Sequence, residues 1–104
     1  MNTQQLPWKP LRTGVQHKLL DRRSDQDLQL DLMQLEPNAQ LPLHQHPKFE
    51  WAYVLRGSFT DHRGTFTAGD FILNEAGSQH EASTGAEGAE LLVVWCGRVT
   101  SVNV

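Results

Sequence analysis

The chain has 104 residues, close to the usual size of one domain and too short for two separate hydrophobic cores. Its net charge is −3 and its nine Lys and Arg residues are scattered, so no basic stripe is available for nucleic acid or for an anionic membrane. A single cysteine, Cys96, excludes an internal disulfide.

The N-terminal stretch MNTQQLPWKPLRTG has neither the apolar core of a signal peptide nor a membrane span, and a soluble, cytoplasmic protein is expected. Residues 1–27 are the more polar part of the chain. Trp8, Leu11, Val15, Leu19 and Leu20 still give them something to pack, so they read as an N-terminal arm docked on a single barrel domain of residues 28–104. From Leu28 onward, Leu28, Leu30 and Leu32 alternate with Gln29 and Asp31, and no helical stripe of useful length occurs. Turn signals at Pro37-Asn38, Arg56-Gly57, Asp61 to Gly64, Ala68 to Asp70, Glu75 to Ser78 and Thr84 to Ala86 cut the chain into short strand-like runs. The expectation is an all-β fold, a small antiparallel sandwich or barrel. Two runs, Phe49 to Leu55 and Leu91 to Cys96, are apolar at both parities. They should be covered on both sides, by the interior on one and by the arm or a second subunit on the other, which predicts a homodimer.

The stretch PLHQHPKFEW carries two of the five histidines one residue apart and a glutamate four residues on. On extended chain, side chains at i and i+2 share a face about 6.5 to 7 Å apart, so His44 and His46 converge, and Glu50 has the same parity. Pro47 blocks a regular helix, in which the two imidazoles would diverge. His80, which opens the run after the Gly77 turn, could supply a third nitrogen. Two or three imidazoles with one carboxylate suit a borderline divalent metal. With five His and six Glu, an HxHxxxE match arises by chance about once in a hundred such chains. His17, between Gln16 and Lys18, and His62, at a hairpin tip, read as plain solvated residues.

These residues resemble the cupin family, whose first motif is HxHxxxE with a glycine seven residues beyond the glutamate. His44, His46, Glu50 and Gly57 match it; Gly69, Gly77 and His80 match the second motif. The segments WKPLRTGVQHKLL, HQHPKFEWAYVLRGSFTDHRGTFTAGDFI and GSQHEAS are similar to the ChrR-like branch, which includes zinc-binding anti-sigma factors and dioxygenase-like proteins. The resemblance implies a jelly-roll-like double-stranded β-helix with the metal on His44, His46, Glu50 and His80. Three departures stand out: Asn38 replaces the opening glycine of the first motif, Glu75 the proline of the second, and Thr84 its closing asparagine.

Cys96 reads as a small buried hydrophobe near a strand end. The glycines at 57, 64, 69, 77, 85, 88 and 97 mark turns, since no GxGxxG or GxxxxGK[ST] pattern occurs. Trp51 and Tyr53, of opposite parity to Glu50, are assigned to packing or a subunit interface. Zn or Fe(II) is the expected metal, with Mn and Ni compatible. Three functions fit: a metal-dependent dioxygenase acting on a small carbonyl compound, a ligand or redox sensor resembling the cupin half of the anti-sigma factors, and a structural metal site in a binding module. Free imidazole titrates near 6.5, so protons are expected to displace the metal below about that pH.

Overall fold

Period-two alternation becomes extended chain along almost the whole protein. The computed structural model describes residues 1–96 and 100–101, and Gly97, assigned above to a turn, lies outside them. Nine strands occur among the described residues: β1 (Lys9–Arg12), β2 (Val15–Arg23), β3 (Leu28–Leu35), β4 (Gln40–Gln45), β5 (Glu50–Asp61), β6 (Gly64–Thr67), β7 (Phe71–Asn74), β8 (Gln79–Cys96) and β9 (Thr100–Ser101). Two single 3-10 turns, Thr3–Gln5 and Ser24–Gln26, are the only helical geometry described, and among the described residues no helix is long and apolar enough to cross a membrane.

All pairings are antiparallel. One layer runs β1, β2, β3, the C-terminal half of β8, the N-terminal half of β5, then β7. The other runs β9, β4, the N-terminal half of β8, the C-terminal half of β5, then β6. Because β5 and β8 belong to both layers, the fold is a jelly-roll β-sandwich. Its ladders end at β1, β7, β9 and β6 among the described residues, so the two sheets do not close into a complete barrel. Residues 1–27 supply β1 and β2, and β2 pairs with β3 from Val15↔Leu35 to Arg23↔Leu28.

Two expected turns are corrected. Arg56-Gly57 lies inside β5 and Thr84 to Ala86 inside β8, where the strands bend instead of ending. Register shifts flank Arg56 and Gly57, as in a β-bulge. Gly57 has φ +78°, and a Cβ on it would collide with the Gly88 carbonyl oxygen and stand 2.8 Å from Ala89 Cα. The two strands therefore cross at backbone contact, which only glycine permits. Each strand changes its inward parity at the crossing: Ala52 and Val54 precede it in β5 and Phe59 and Asp61 follow; His80, Ala82 and Thr84 precede it in β8 and Ala89, Leu91 and Val93 follow.

The apolar ones among these, Ala52, Val54, Phe59, Ala82, Ala89, Leu91 and Val93, form the core with Val15, Leu35 and Ile72. Burying each large aliphatic or Phe side chain among them contributes about 1.5 to 3 kcal/mol. Asn38 takes φ +54°, which a short amide side chain tolerates. Thr84 ties its turn to β8, since its Oγ1 accepts from Ala39 N at 2.8 Å and donates to Glu36 O at 2.6 Å. On the outer face of β5 and β7, Trp51, Tyr53, Leu55, Phe71 and Leu73 remain 39 to 57% exposed, so Trp51 and Tyr53 are not core residues.

Candidate metal centre

The histidines meet because β4 and β8 pair. His44 stands directly opposite His80 in that ladder. His46, one step past the end of β4, is still held extended: its N–H donates to Ser78 O at 2.9 Å, and Gly77 N–H donates to its carbonyl at 2.7 Å. Pro47, with no N–H, does not continue the ladder. The three rings converge at their Nε2 atoms, with His80 Nε2 2.8 Å from that of His44 and 3.2 Å from that of His46. This is the group of His, Cys, Asp or Glu side chains among the described residues whose donor atoms could hold a metal ion.

Each opposite ring nitrogen faces an oxygen. His44 Nδ1 lies 3.0 Å from Pro42 O, His80 Nδ1 3.0 Å from Asp61 Oδ2, and His46 Nδ1 3.4 Å from Glu50 Oε2. A proton on each Nδ1 satisfies these acceptors and leaves the Nε2 lone pairs pointing at one another. Lone pairs so placed repel unless a proton or a cation lies between them. Nitrogens bound at about 2.1 Å to one ion and subtending about 90 to 110° would stand about 3.0 to 3.4 Å apart. The 3.2 Å separation of His46 and His80 falls within that range, the 2.8 Å of His44 and His80 lies just below it, and the donor set fits a divalent ion.

Desolvation is severe, since His46 is 2% and His80 5% exposed. Burial pushes His44 down to about 4; the Pro42 carbonyl opposes this, and the charges of His80, His46 and Arg12 add to it. His80 is also lowered, chiefly by burial, although Asp61 pulls the other way. The expected onset of proton competition near pH 6.5 is thus corrected downward for these two rings.

Glu50 lies beside the triad but outside the converging set, with Oε1 accepting from Asn74 Nδ2 at 3.2 Å and Oε2 facing His46 Nδ1. His62 is exposed at the β5–β6 tip, as expected. His17 is not simply solvated: its Nδ1 is buried 3.5 Å from the fully buried Asp31, whose carboxylate accepts from Gln29 Nε2 at 2.8 Å and Trp95 Nε1 at 2.8 Å. Asp61, Arg63 and Asn74 escaped the sequence reading altogether. Asp61 and Arg63 sat in an expected turn, and no local pattern links them to His80.

A cavity of about 60 Å³ opens on the triad, lined by His44, His80 and Glu50 and otherwise by mostly apolar side chains, including Leu11, Met33, Leu41, Phe59 and Trp95. Arg12, from β1, is the one Lys or Arg among the described residues in its wall. Glu75 and Glu81 are exposed and do not reach the cavity.

A jelly-roll sandwich carrying a histidine triad on β4 and β8 above an apolar cavity defines the cupin class. The model of the ChrR cupin-like domain matches residues 1–100, and the chain belongs to that family. No curated protein matches. Among solved structures, the chain is similar to a protein of unknown function with a cupin-like fold from Ralstonia eutropha JMP134 (TM-score 0.79, 21% identity, covering 86% of this chain and 59% of that one). It is similar to an acetylacetone dioxygenase from Acinetobacter johnsonii (0.81, 12%, 92% and 72%) and to the anti-sigma ChrR complex with SigE from Rhodobacter sphaeroides (0.78, 22%, 90% and 51%). The chain thus spans between about half and three quarters of these proteins.

Proposed function

We propose that the protein is a metal-binding cupin that takes a small carbonyl compound in its cavity and acts on it as a metal-dependent dioxygenase. The observation that carries the reading is the convergence of three Nε2 atoms beside an apolar cavity that two of the rings, His44 and His80, line. His44, His46 and His80 hold the metal, and Glu50, the fourth donor expected from the sequence, joins them only by turning an oxygen away from His46 or Asn74; Zn or Fe(II) suits the set, and Mn and Ni are compatible. A divalent ion there would supply a Lewis acid for a carbonyl oxygen. The chain's own part is to hold His44 and His80 neutral, to exclude water with Leu11, Met33, Phe59 and Trp95, and to place the Arg12 cation where a carbonyl or enolate would meet it. The acetylacetone dioxygenase supports this reading by likeness of fold.

A second reading, a ligand or redox sensor, is favoured by the exposed apolar face of β5 and β7, which begins one residue from Glu50 at Trp51. That face also supports a homodimer. Both readings place the protein in the cytoplasm with a small-molecule ligand and no nucleic-acid partner.

The test is metal analysis followed by oxygen consumption. The Fe(II)-loaded protein with acetylacetone should consume dioxygen above the metal-free control, and His80→Ala should lose both metal and uptake. Single Ala variants at His44 and His46 should lose metal as well, while His17→Ala and His62→Ala keep it. Stoichiometric zinc with no uptake for any small diketone or oxoacid would reject the enzyme in favour of the sensor. Equal metal retention in all five variants would reject the triad.

A further inference from the structure

We propose that Asp61, Arg63 and Asn74 are positioning residues of the metal site, with Arg63 the hub that orients both His80 and Glu50. The inference rests on the triad being the metal site and goes beyond it.

A guanidinium offers donors only. Arg63 Nη2 donates to Asp61 Oδ2 at 2.6 Å and to Asn74 Oδ1 at 2.8 Å, while Nη1 donates to Leu73 O at 2.7 Å. The side chain thus joins the β5–β6 hairpin tip to β7. Because Asn74 must turn its oxygen toward Arg63, its amide nitrogen is left for Glu50 Oε1, and Glu50 Oε2 is left facing His46. Asp61 Oδ2 meanwhile accepts from His80 Nδ1 at 3.0 Å. The contacts close into a ring: Arg63, Asp61, His80, His46, Glu50, Asn74 and back to Arg63.

The Asp61 side chain is completely buried. The Arg63 guanidinium pairs with it, Nε facing Oδ1 at 3.3 Å and Nη2 facing Oδ2 at 2.6 Å. An anion on Nδ1 makes the opposite nitrogen a better donor to a metal, whereas His44 has only the neutral Pro42 carbonyl in that place. His80 is therefore a stronger donor than His44, and its strength depends on two residues that touch neither metal nor ligand. A simple turn staple would need Asp61 and Arg63 alone; the links to His80 and Asn74 are what point inward.

The test measures zinc affinity by competition with a chromophoric chelator, the d–d spectrum of the cobalt-substituted protein, and the melting of the metal-free protein. Asp61→Asn keeps the shape and removes the charge, and Arg63→Met removes the hub. Each should weaken zinc about 10- to 100-fold and shift the cobalt spectrum. Asn74→Ala, which leaves the Asp61–Arg63 pair intact, reaches the same site from the other side should either variant fail to fold, and it should also weaken zinc. Arg56→Ala removes a surface ion pair between β5 and Glu90 of β8 and should leave affinity and spectrum unchanged. Zinc affinity within twofold of wild type in Asp61→Asn and Asn74→Ala overturns the inference, as does an equal loss in Arg56→Ala, which would mark general loosening. If wild type binds zinc no better than a variant with Ala at all three histidines, the triad falls and this inference with it.

Discussion

Adding zinc to the metal-free protein should raise its melting midpoint strongly at pH 7.5 and hardly at all near pH 4. The unfolded chain does not hold the three Nε2 atoms together, so metal binds the folded state preferentially and stabilises it by RT ln(1 + [L]/Kd). At about 100 times the dissociation constant this is roughly 2.7 kcal/mol. A domain of this size shifts by about 4 to 8 °C per kcal/mol, giving about 10 to 20 °C. The pH arm has a definite sign. Burial holds His44 near about 4 when folded, against 6.5 for the ordinary side chain. Between those values the unfolded chain binds more protons, so metal-free stability falls as pH drops from about 6.5 to about 4 and levels off below. The same depression keeps the imidazole neutral for metal, so most of the zinc-induced shift should persist at pH 5.5. Matched thermal melts by circular dichroism at pH 7.5, 5.5 and 4 read both arms. A shift already gone between pH 7 and 6 would mean that burial does not depress His44. No shift at pH 7.5 with zinc demonstrably bound would mean that the site is not coupled to the fold.

Two further outcomes follow from the strands. Gly57→Ala places a methyl against the β8 backbone at positive φ and should cost about 3 kcal/mol or more by urea denaturation, whereas Gly69→Ala, also at positive φ but with open space around it, should cost only about 1 kcal/mol; equal costs would refute the backbone crossing. Light scattering at tens of micromolar should give a dimer, and Trp51→Lys, which alters a side chain 47% exposed on the outer face, should give folded, metal-retaining monomers; a wild-type monomer would refute that interface.

The HxHxxxE spacing was informative because it is local: extended chain places His44 and His46 on one side, and Pro47 denies the helix. All-β character was legible for the same reason, from Leu28, Leu30 and Leu32 onward. What the sequence could not display depends on which strands cross. Gly57 and Gly85 read as strand ends because glycine signals a turn and a bulge alike, and only the approach of β8 to β5 decides between them. Asp61 and His80 are joined by that same crossing, 19 residues apart. His17 looked solvated because its neighbours Gln16 and Lys18 are polar, but β2 pairs with β3 and brings it against Asp31. Glu50 shared the expected parity, yet Asn74 and His46 engage both its oxygens, and neither contact has a signature in the chain.

The shared strand β8 also sets the order in which the molecule can come together. Strands β1 to β3 form consecutive hairpins, and β5 can pair with β6 and β7 as soon as each is available. Strand β4 has no earlier partner; among the described residues it pairs only with β8 and β9. Two preformed ribbons and one orphan strand must therefore wait for residues 79–96, and closing such long loops before any contact compensates makes this the slow part of assembly. His44 and His46 lie on the waiting side and His80 on the arriving one. The three histidines come together in the same event that joins the ribbons into one core.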